Sequence, residues 1–261
     1  MTVPVADRLD VTLRLVQAAG RISVTDLADR LGVSEMTVRR DLDALQAQGL
    51  LQRIRGAATA TREPESGFAA RAKWQEATKA RIGALAASLI RPGETVLLDA
   101  GTTTVHVAAA LAERAPVTVG VLSLQAAARL TDVPGVRLLL LGGEPRPAEG
   151  SLVGPITLRA LGELSFDCFV LSLGGVHAED GYSEFSLEDS AVKQLALQRA
   201  SRTIAVADAT KLGTRAFSRI AGLDAAAEFV TDRAAEDPET HPVGPRTLDA
   251  LRDAGTTVHL A

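Results

Sequence analysis

Cysteine is nearly absent, with one thiol, Cys168, in 261 residues. A single cysteine excludes an intrachain disulfide framework and any metal site built from several thiolates. The four histidines, His106, His177, His241 and His259, are scattered without metal-ligand spacing. No metal or other cofactor is therefore expected, and each ring is expected at the surface or at a pocket edge. Aromatic residues make up only 3% of the chain, so its cores must be built mainly from Leu, Val and Ala. No apolar run approaches the ~20 residues that span a bilayer. The opening MTVPVADRLD lacks the basic start and apolar stretch of a signal peptide. These absences lead to the expectation of a cytoplasmic protein with no membrane partner.

A chain of this length has room for two domains. Its net charge of −4 argues against nonspecific coating of nucleic acid, but the charge is unevenly spread. Residues 1–62 hold 9 Arg/Lys against 7 Asp/Glu, net +2, which leaves −6 for the remainder. Within 51–62, Arg53, Arg55 and Arg62 stand without any acid. A small basic module on an acidic body fits a protein that touches DNA at one end only.

The stretch VSEMTVRRDLDAL (33–45) organises that basic end. Ser34 is a good N-cap, because its hydroxyl can accept an orphan amide hydrogen bond from the first helical turn. Val38, Leu42 and Leu45 recur at i, i+4 and i+7 and share one apolar stripe. Met36, Thr37 and Arg40 then fall on the far side, with Arg39 on the flank. These groups can reach phosphates and base edges in a major groove. Upstream, Leu9, Leu13 and Val16 give the same stripe, and Gly20 ends that helix. Ser23-Val24-Thr25-Asp26 fits a capping box, opening a second helix with Leu27, Ala28 and Leu31 inward. Gly32-Val33 makes the turn into the third helix, which Gly49 closes. Leu51 next alternates with Arg53 and Arg55 before Gly56 turns the chain, the pattern of a short basic hairpin. Three helices and a basic wing within 60 residues form a winged helix-turn-helix. Its candidate contacts to double-stranded operator DNA are Ser34, Met36, Thr37, Arg39, Arg40, Arg53 and Arg55.

The polar segment TATREPESGFAARAK (59–73) contains Pro64 and Gly67. It places a linker over 61–73, between a DNA-binding domain over 1–60 and a second domain over 74–261. Helical periodicity resumes near Trp74 with Ile82, Leu85, Ala86 and Leu89, and Arg91-Pro92-Gly93 terminates it. Apolar runs follow at Thr95–Leu98, Val117–Val121, Val136–Leu141, Cys168–Leu173, Thr203–Ala207, Glu228–Thr231 and Thr256–Leu260. Helical patterns lie near 103–113, 123–131, 188–200 and 245–253. Continuous apolar strands alternating with helices predict an α/β domain, its mostly parallel sheet covered on both faces. Ligands bind such sheets beyond the carboxyl ends of the strands.

The loop Asp99-Ala100-Gly101-Thr102-Thr103-Thr104 stands at such an end and opens a helix. It offers backbone amides, hydroxyls and the positive end of a helix dipole to an anion. It is neither a Walker loop nor a dinucleotide fingerprint, and a phosphate monoester fits it best. Three further loops converge on the same edge, carrying Gly142-Gly143 with Arg146, Gly174-Gly175, and Lys211. Glycine pairs allow close backbone approach to a ligand, while Lys211 and Arg146 supply charge for phosphate.

The N-terminal segment resembles the winged helix of the DeoR family of bacterial transcriptional regulators. The residues that carry the resemblance are Ile22-Ser23-Val24, Leu27-Ala28, VSEMTVRRDL (33–42), Leu45, Gly49-Leu50-Leu51 and Arg53-Ile54-Arg55-Gly56-Ala57. It extends through LLDAGTTT (97–104), LGGEPR (141–146), SLVGP (151–155), GYSEFSLEDSAVKQ (181–194) and ADATKLG (207–213). The resemblance implies a sensor domain related in fold to ribose-5-phosphate isomerase that binds a phosphorylated sugar or similar metabolite. It would line the effector pocket with Asp99, Gly101, Thr102, Thr103, Gly142, Gly143, Gly174, Gly175 and Lys211, and Glu188 sits where the family often has an acidic pair. Three positions depart from the family. Ala57 stands where a second glycine is usual, and Val121-Leu122 replaces the Thr-Asn common before Ser123-Leu124. The implied function is a repressor acting as a homo-oligomer rather than an enzyme. An aldose–ketose isomerase with an appended helix-turn-helix, using Asp99, Asp208 or Glu188 as base, is the alternative.

Overall fold

The computed structural model describes residues 5–19, 21–47, 51–54, 56–60 and 67–261. Arg55, and the expected helix-ending Gly20 and Gly49, lie outside the described residues. The N-terminal domain comprises α1 (Val5–Ala19), β1 (Arg21–Ser23), α2 (Val24–Leu31), α3 (Glu35–Ala47), β2 (Leu51–Ile54) and β3 (Ala57–Ala60). Leu13, Val16, Leu27, Val38, Leu42 and Leu45 are all buried in one core, because the i, i+4, i+7 stripes of the three helices face each other. Ser23 caps α2 through a hydrogen bond from Asp26 N. Gly32 follows in the left-handed region at φ 62°, where a Cβ would be strained, and lets the chain turn sharply into α3. A bidentate pair between Arg8 and Asp41, at 2.6 and 2.9 Å, ties α1 to α3. The wing is a hairpin of β2 and β3 with β1 added beyond β3, all antiparallel.

Phe68–Lys73, the second half of the expected linker, forms the short helix α4. After it come α5 (Glu76–Ser88), β4 (Thr95–Leu98), α6 (Thr102–Ala112), β5 (Val117–Val121), α7 (Leu124–Leu130) and β6 (Val136–Leu140). A two-strand hairpin of β7 (Glu144–Pro145) and β8 (Leu152–Val153) leads into α8 (Gly154–Gly162) and β9 (Phe166–Ser172). The chain continues as β10 (Gly175–His177), β11 (Gly181–Glu184), α9 (Leu187–Gln198) and β12 (Ala200–Val206). It closes with β13 (Ser218–Ala221), β14 (Glu228–Thr231), α10 (Gly244–Asp253) and β15 (Thr257–Leu260).

Seven parallel strands form the main sheet in the order β15-β14-β12-β9-β4-β5-β6. All seven expected apolar runs are in it. Alternate residues serve two cores, as the pleat requires. Val96, Leu98, Cys168 and Val170 pack with Ile82, Val107 and Leu111 on one face. Leu97, Phe169 and Leu171 pack with Leu161, Val192 and Leu248 on the other. The winding runs outward from β4 to β6, then returns to β9 on the opposite side of β4. The β4/β9 boundary is therefore the switch point at which open α/β sheets form a crevice. The expectation missed two features of this domain, namely α8 and a second, antiparallel sheet of β10, β11 and β13. His241, expected at the surface or a pocket edge, is buried at 4% exposure. Among the described residues no helix is long and apolar enough to cross a membrane, and no group of three or more His, Cys, Asp or Glu could hold a metal ion.

Candidate functional site

The first candidate surface is the outward face of α3. Ser34 Oγ accepts from Thr37 N at 3.2 Å and pairs with Thr37 Oγ1 at 2.9 Å, which fixes the start of the helix. Met36 is exposed at 59%, and Arg39 and Arg40 are exposed beside it. The two arginines are not equivalent. Arg39 donates to Glu35 Oε2 at 3.0 Å, and Glu35 in turn accepts from Thr25 Oγ1 at 2.8 Å. Arg40 makes no ion pair or side-chain hydrogen bond among the described residues. Arg53 on β2 pairs with Asp43 on α3, so the base of the wing is tied to the helix. An ion pair this exposed contributes only about 0–1 kcal/mol, so a DNA phosphate can displace Asp43. Arg53→Ala is thus expected to weaken binding to every duplex alike and to lower the salt slope by about 0.9. A titration of Kd against salt concentration checks this, and an unchanged slope takes Arg53 off the phosphate path.

The second candidate site is the crevice at the β4/β9 switch point, a cleft of about 870 Å³ including its open mouth. β4 delivers Asp99 beneath it, buried behind the lining residues. A Cβ on Gly101 would stand 2.2 Å from Ser172 Oγ, so glycine is what lets the ends of β4 and β9 meet. Asp99 Oδ1 accepts from Ala100 N at 2.8 Å, and Oδ2 accepts from Ser172 N at 2.9 Å and from Lys193 Nζ at 2.7 Å. Lys193 also donates to Ser172 O at 2.8 Å and lies 2.9 Å from Glu184 Oε2. Its three protons are thereby committed, and it is buried with only 3% of the side chain exposed. Burial alone would favour a neutral amine, but Asp99, Glu184 and Asp189 outweigh it and raise the Lys193 pKa. Burial pushes Asp99 up to about 6 in spite of Lys193. At Glu184 burial is outweighed by Lys193 and by the Phe185 amide, and its pKa is lowered.

The mouth has a different character. Gly101 offers no side-chain cap to α6, so the first-turn amides lack a side-chain acceptor. The hydroxyls of Thr102 and Thr103 and the ammonium of Lys211 line the cleft and make no side-chain hydrogen bond or ion pair among the described residues. Lys79, on the buried face of α5, donates to Arg71 O at 2.5 Å and Trp74 O at 2.7 Å. Its burial lowers its pKa to about 8. Asp208 stays below the usual carboxylate range because Lys79 and Lys211 overcome the effect of its burial.

The expected pocket residues divide into two groups. Gly101, Thr102, Thr103, Gly174 and Lys211 line the cleft, with Asp99 bonded to its lining through Ser172 and Lys193. Gly142, Gly143, Gly175, Arg146 and Glu188 are not in the lining. A Cβ on Gly143 would meet Thr157 Oγ1 at 1.8 Å, and one on Gly175 would meet Thr214 O at 2.4 Å, so these glycines serve chain packing. Gly142 O accepts from Thr157 Oγ1 at 2.7 Å. Arg146 is turned to Asp189. Glu188 is exposed on α9, and its neighbour Asp189 is the acid that lines the cleft. Residues not anticipated include Lys79, Trp74, Ser151, Glu184 and Lys193. The available signal was helical register. Lys79 shares the apolar stripe of Ile82 and Ala86, and Asp189 and Lys193 are an i, i+4 pair on the inward face of α9.

The DeoR C terminal sensor domain family matches residues 74–233, and the DeoR-like helix-turn-helix domain family matches residues 8–63. The HTH-type transcriptional repressor GlcR of Bacillus subtilis is 33% identical over 229 residues, 87% of this chain and 88% of that one. The lactose phosphotransferase system repressor of Lactococcus lactis is 34% identical over 210 residues, 78% of this chain and 82% of that one. The glycerol-3-phosphate regulon repressor of Escherichia coli is 28% identical over 221 residues, covering 84% and 88%. Among solved structures, ribose 5-phosphate isomerase A from Methanocaldococcus jannaschii aligns with 52% of this chain and 54% of that one, at 15% identity and TM-score 0.40. The chain therefore belongs to the DeoR family of DNA-binding transcriptional regulators.

Proposed function

We propose that this protein represses a carbohydrate-utilisation operon and that a phosphorylated sugar or related metabolite, bound in the β4/β9 cleft, sets its grip on operator DNA. The observation that carries the reading is the cleft mouth. The uncapped start of α6, with two threonine hydroxyls and a Lys211 ammonium that make no side-chain hydrogen bond or ion pair among the described residues, forms a site that a phosphate monoester would complete. Relatives named as repressors of a lactose phosphotransferase system and a glycerol-3-phosphate regulon agree with that chemistry. The protein acts as a homo-oligomer whose two winged helices reach successive major grooves. The metabolite shifts its population between forms of good and poor operator geometry through its differential affinity for them.

The isomerase alternative needs a carboxylate free to take a proton from a sugar carbon. Glu188 is exposed away from the cleft, Asp99 is engaged by Lys193 and two amides, and Asp208 by Thr210. Turnover assays with pentose and hexose phosphates are expected to show binding without conversion.

A thermal-shift screen of sugar phosphates tests the reading. At a concentration a hundred times its Kd, the right ligand adds about 2.7 kcal/mol, which raises Tm by about 5–10 °C, while neutral sugars leave it unchanged. A panel that moves nothing overturns the proposal. The affinity also carries a pH signature. An anionic ligand favours the charged form of Lys79, whose pKa is about 8, so binding weakens as pH rises through 8. The expected loss is about tenfold between pH 7 and pH 9. Calorimetric Kd values across that range check it, and a Kd that stays flat removes Lys79 from the anion's surroundings.

A further inference from the structure

The inner wall of the same cleft carries two polar atoms that nothing among the described residues satisfies. Trp74 Nε1 and Ser151 Oγ are both buried without a hydrogen-bond partner, and both residues line the cleft. Ser151 is exposed at only 3%. A buried polar group left unpaired costs the fold stability, so two of them in one cavity wall point to a missing partner.

The surrounding chain holds both residues in place. Lys79 anchors the Trp74 carbonyl. Arg71 forms a bidentate pair with Glu149 at 2.9 and 2.6 Å, and Phe68 N donates to Ala148 O at 3.1 Å. This clamps α4 to the 146–151 loop that presents Ser151. The Trp74 side chain also packs against the winged-helix core, whose Leu13 itself lines the cleft.

We propose that Trp74 Nε1 and Ser151 Oγ form an uncharged subsite that takes a hydroxyl of the bound metabolite and passes its occupancy to the winged helix. The indole N–H can only donate, whereas a serine hydroxyl can donate and accept. Together they match an alcohol, which is both acceptor and donor. The ligand is thus a polyhydroxylated phosphate, with its phosphate at the α6 mouth and a hydroxyl at Trp74. The inference rests on the sensor reading above, and it adds which part of the ligand is read by the residue that touches the DNA-binding domain.

Trp74 is the only tryptophan in the chain, so its emission reports this subsite without labelling. The full-length protein is titrated with ribose 5-phosphate, glucose 6-phosphate, fructose 1-phosphate, glycerol 3-phosphate and inorganic phosphate, following Tm and emission together. A sugar phosphate that raises Tm is expected to shift Trp74 emission, and inorganic phosphate is expected to leave it unchanged. Trp74→Phe keeps the aromatic packing and removes the N–H, and Ser151→Ala removes the hydroxyl. Each is expected to weaken that sugar phosphate five- to tenfold while leaving inorganic phosphate binding as in the wild type. If a sugar phosphate raises Tm with no change in emission, or binds both variants as tightly as the wild type, the subsite is overturned and the sensor reading stands. If no probe raises Tm, both fall.

Discussion

Replacing Lys193 with methionine is expected to cost the sensor domain about 3–5 kcal/mol, the usual result of removing one partner from a buried ion pair. That corresponds to a fall in Tm of about 10 °C. Among the described residues, Lys193 is the only cation within hydrogen-bonding distance of both Asp99 and Glu184, at 2.7 and 2.9 Å, and all three side chains are buried. Methionine matches the length of the stem and takes away the ammonium in contact with two buried carboxylates. Their pKa values then rise above those of the unfolded chain. The folded variant binds protons more tightly than the unfolded variant does, so its folded state gains stability as pH falls. Asp99 already stands at about 6 with Lys193 present. The gap in stability between wild type and variant should therefore narrow between pH 7 and pH 5. Denaturant unfolding at both pH values checks this. A loss under 1 kcal/mol, or a gap that does not change with pH, would mean that Lys193 is not what holds the switch point together.

Arg40→Ala is expected to weaken operator binding by about 1–3 kcal/mol, the range for a bidentate contact from arginine to a base edge. In Kd this is about 5- to 150-fold. The structure separates Arg40 from its neighbour. Arg39 lies along the helix surface against Glu35 and gives up an interaction when it turns to DNA, whereas Arg40, exposed on α3, has no ion pair or side-chain hydrogen bond to leave among the described residues. Arg39→Ala should accordingly have the smaller effect. Arg40→Ala should also relax the preference at one base position, which a loss of phosphate contact would not do. Titrations against the protein's own promoter fragment and single-base variants of it read both effects. Unchanged affinity with unchanged base preference removes Arg40 from the recognition surface.

The seven-stranded sheet can be read in the sequence because its strands are built around short clusters of Val, Leu, Ile and Phe, and the central ones serve two cores. The antiparallel sheet cannot. Its strands Gly175–His177 and Gly181–Glu184 are short and carry Gly, His, Ser and Glu, so neither hydrophobic period is present. Helix α8 opens with Gly154-Pro155, residues that read as a turn, although proline suits the first turn of a helix. Site residues followed the same physics. The loop Asp99–Thr104 announces itself by glycine and hydroxyls between a strand and a helix. Lys193 looks like a solvated charge until the fold brings it to Asp99, 94 residues away. Between Glu188 and Asp189, only the inward turn of α9 distinguishes the exposed acid from the buried one. Arg146 reads as a phosphate ligand in the sequence because its charge is visible there and its pairing with Asp189 is not.

The central claim is that one chain couples a DNA grip to a phosphate-reading cleft. Fluorescence anisotropy of a labelled duplex from the protein's own promoter region, at low ionic strength, tests it most directly. The account predicts saturable binding by the full-length protein, with an affinity altered by at least one sugar phosphate and left unaltered by the matching neutral sugar. Failure to bind the duplex, with or without sugar phosphates, would contradict it.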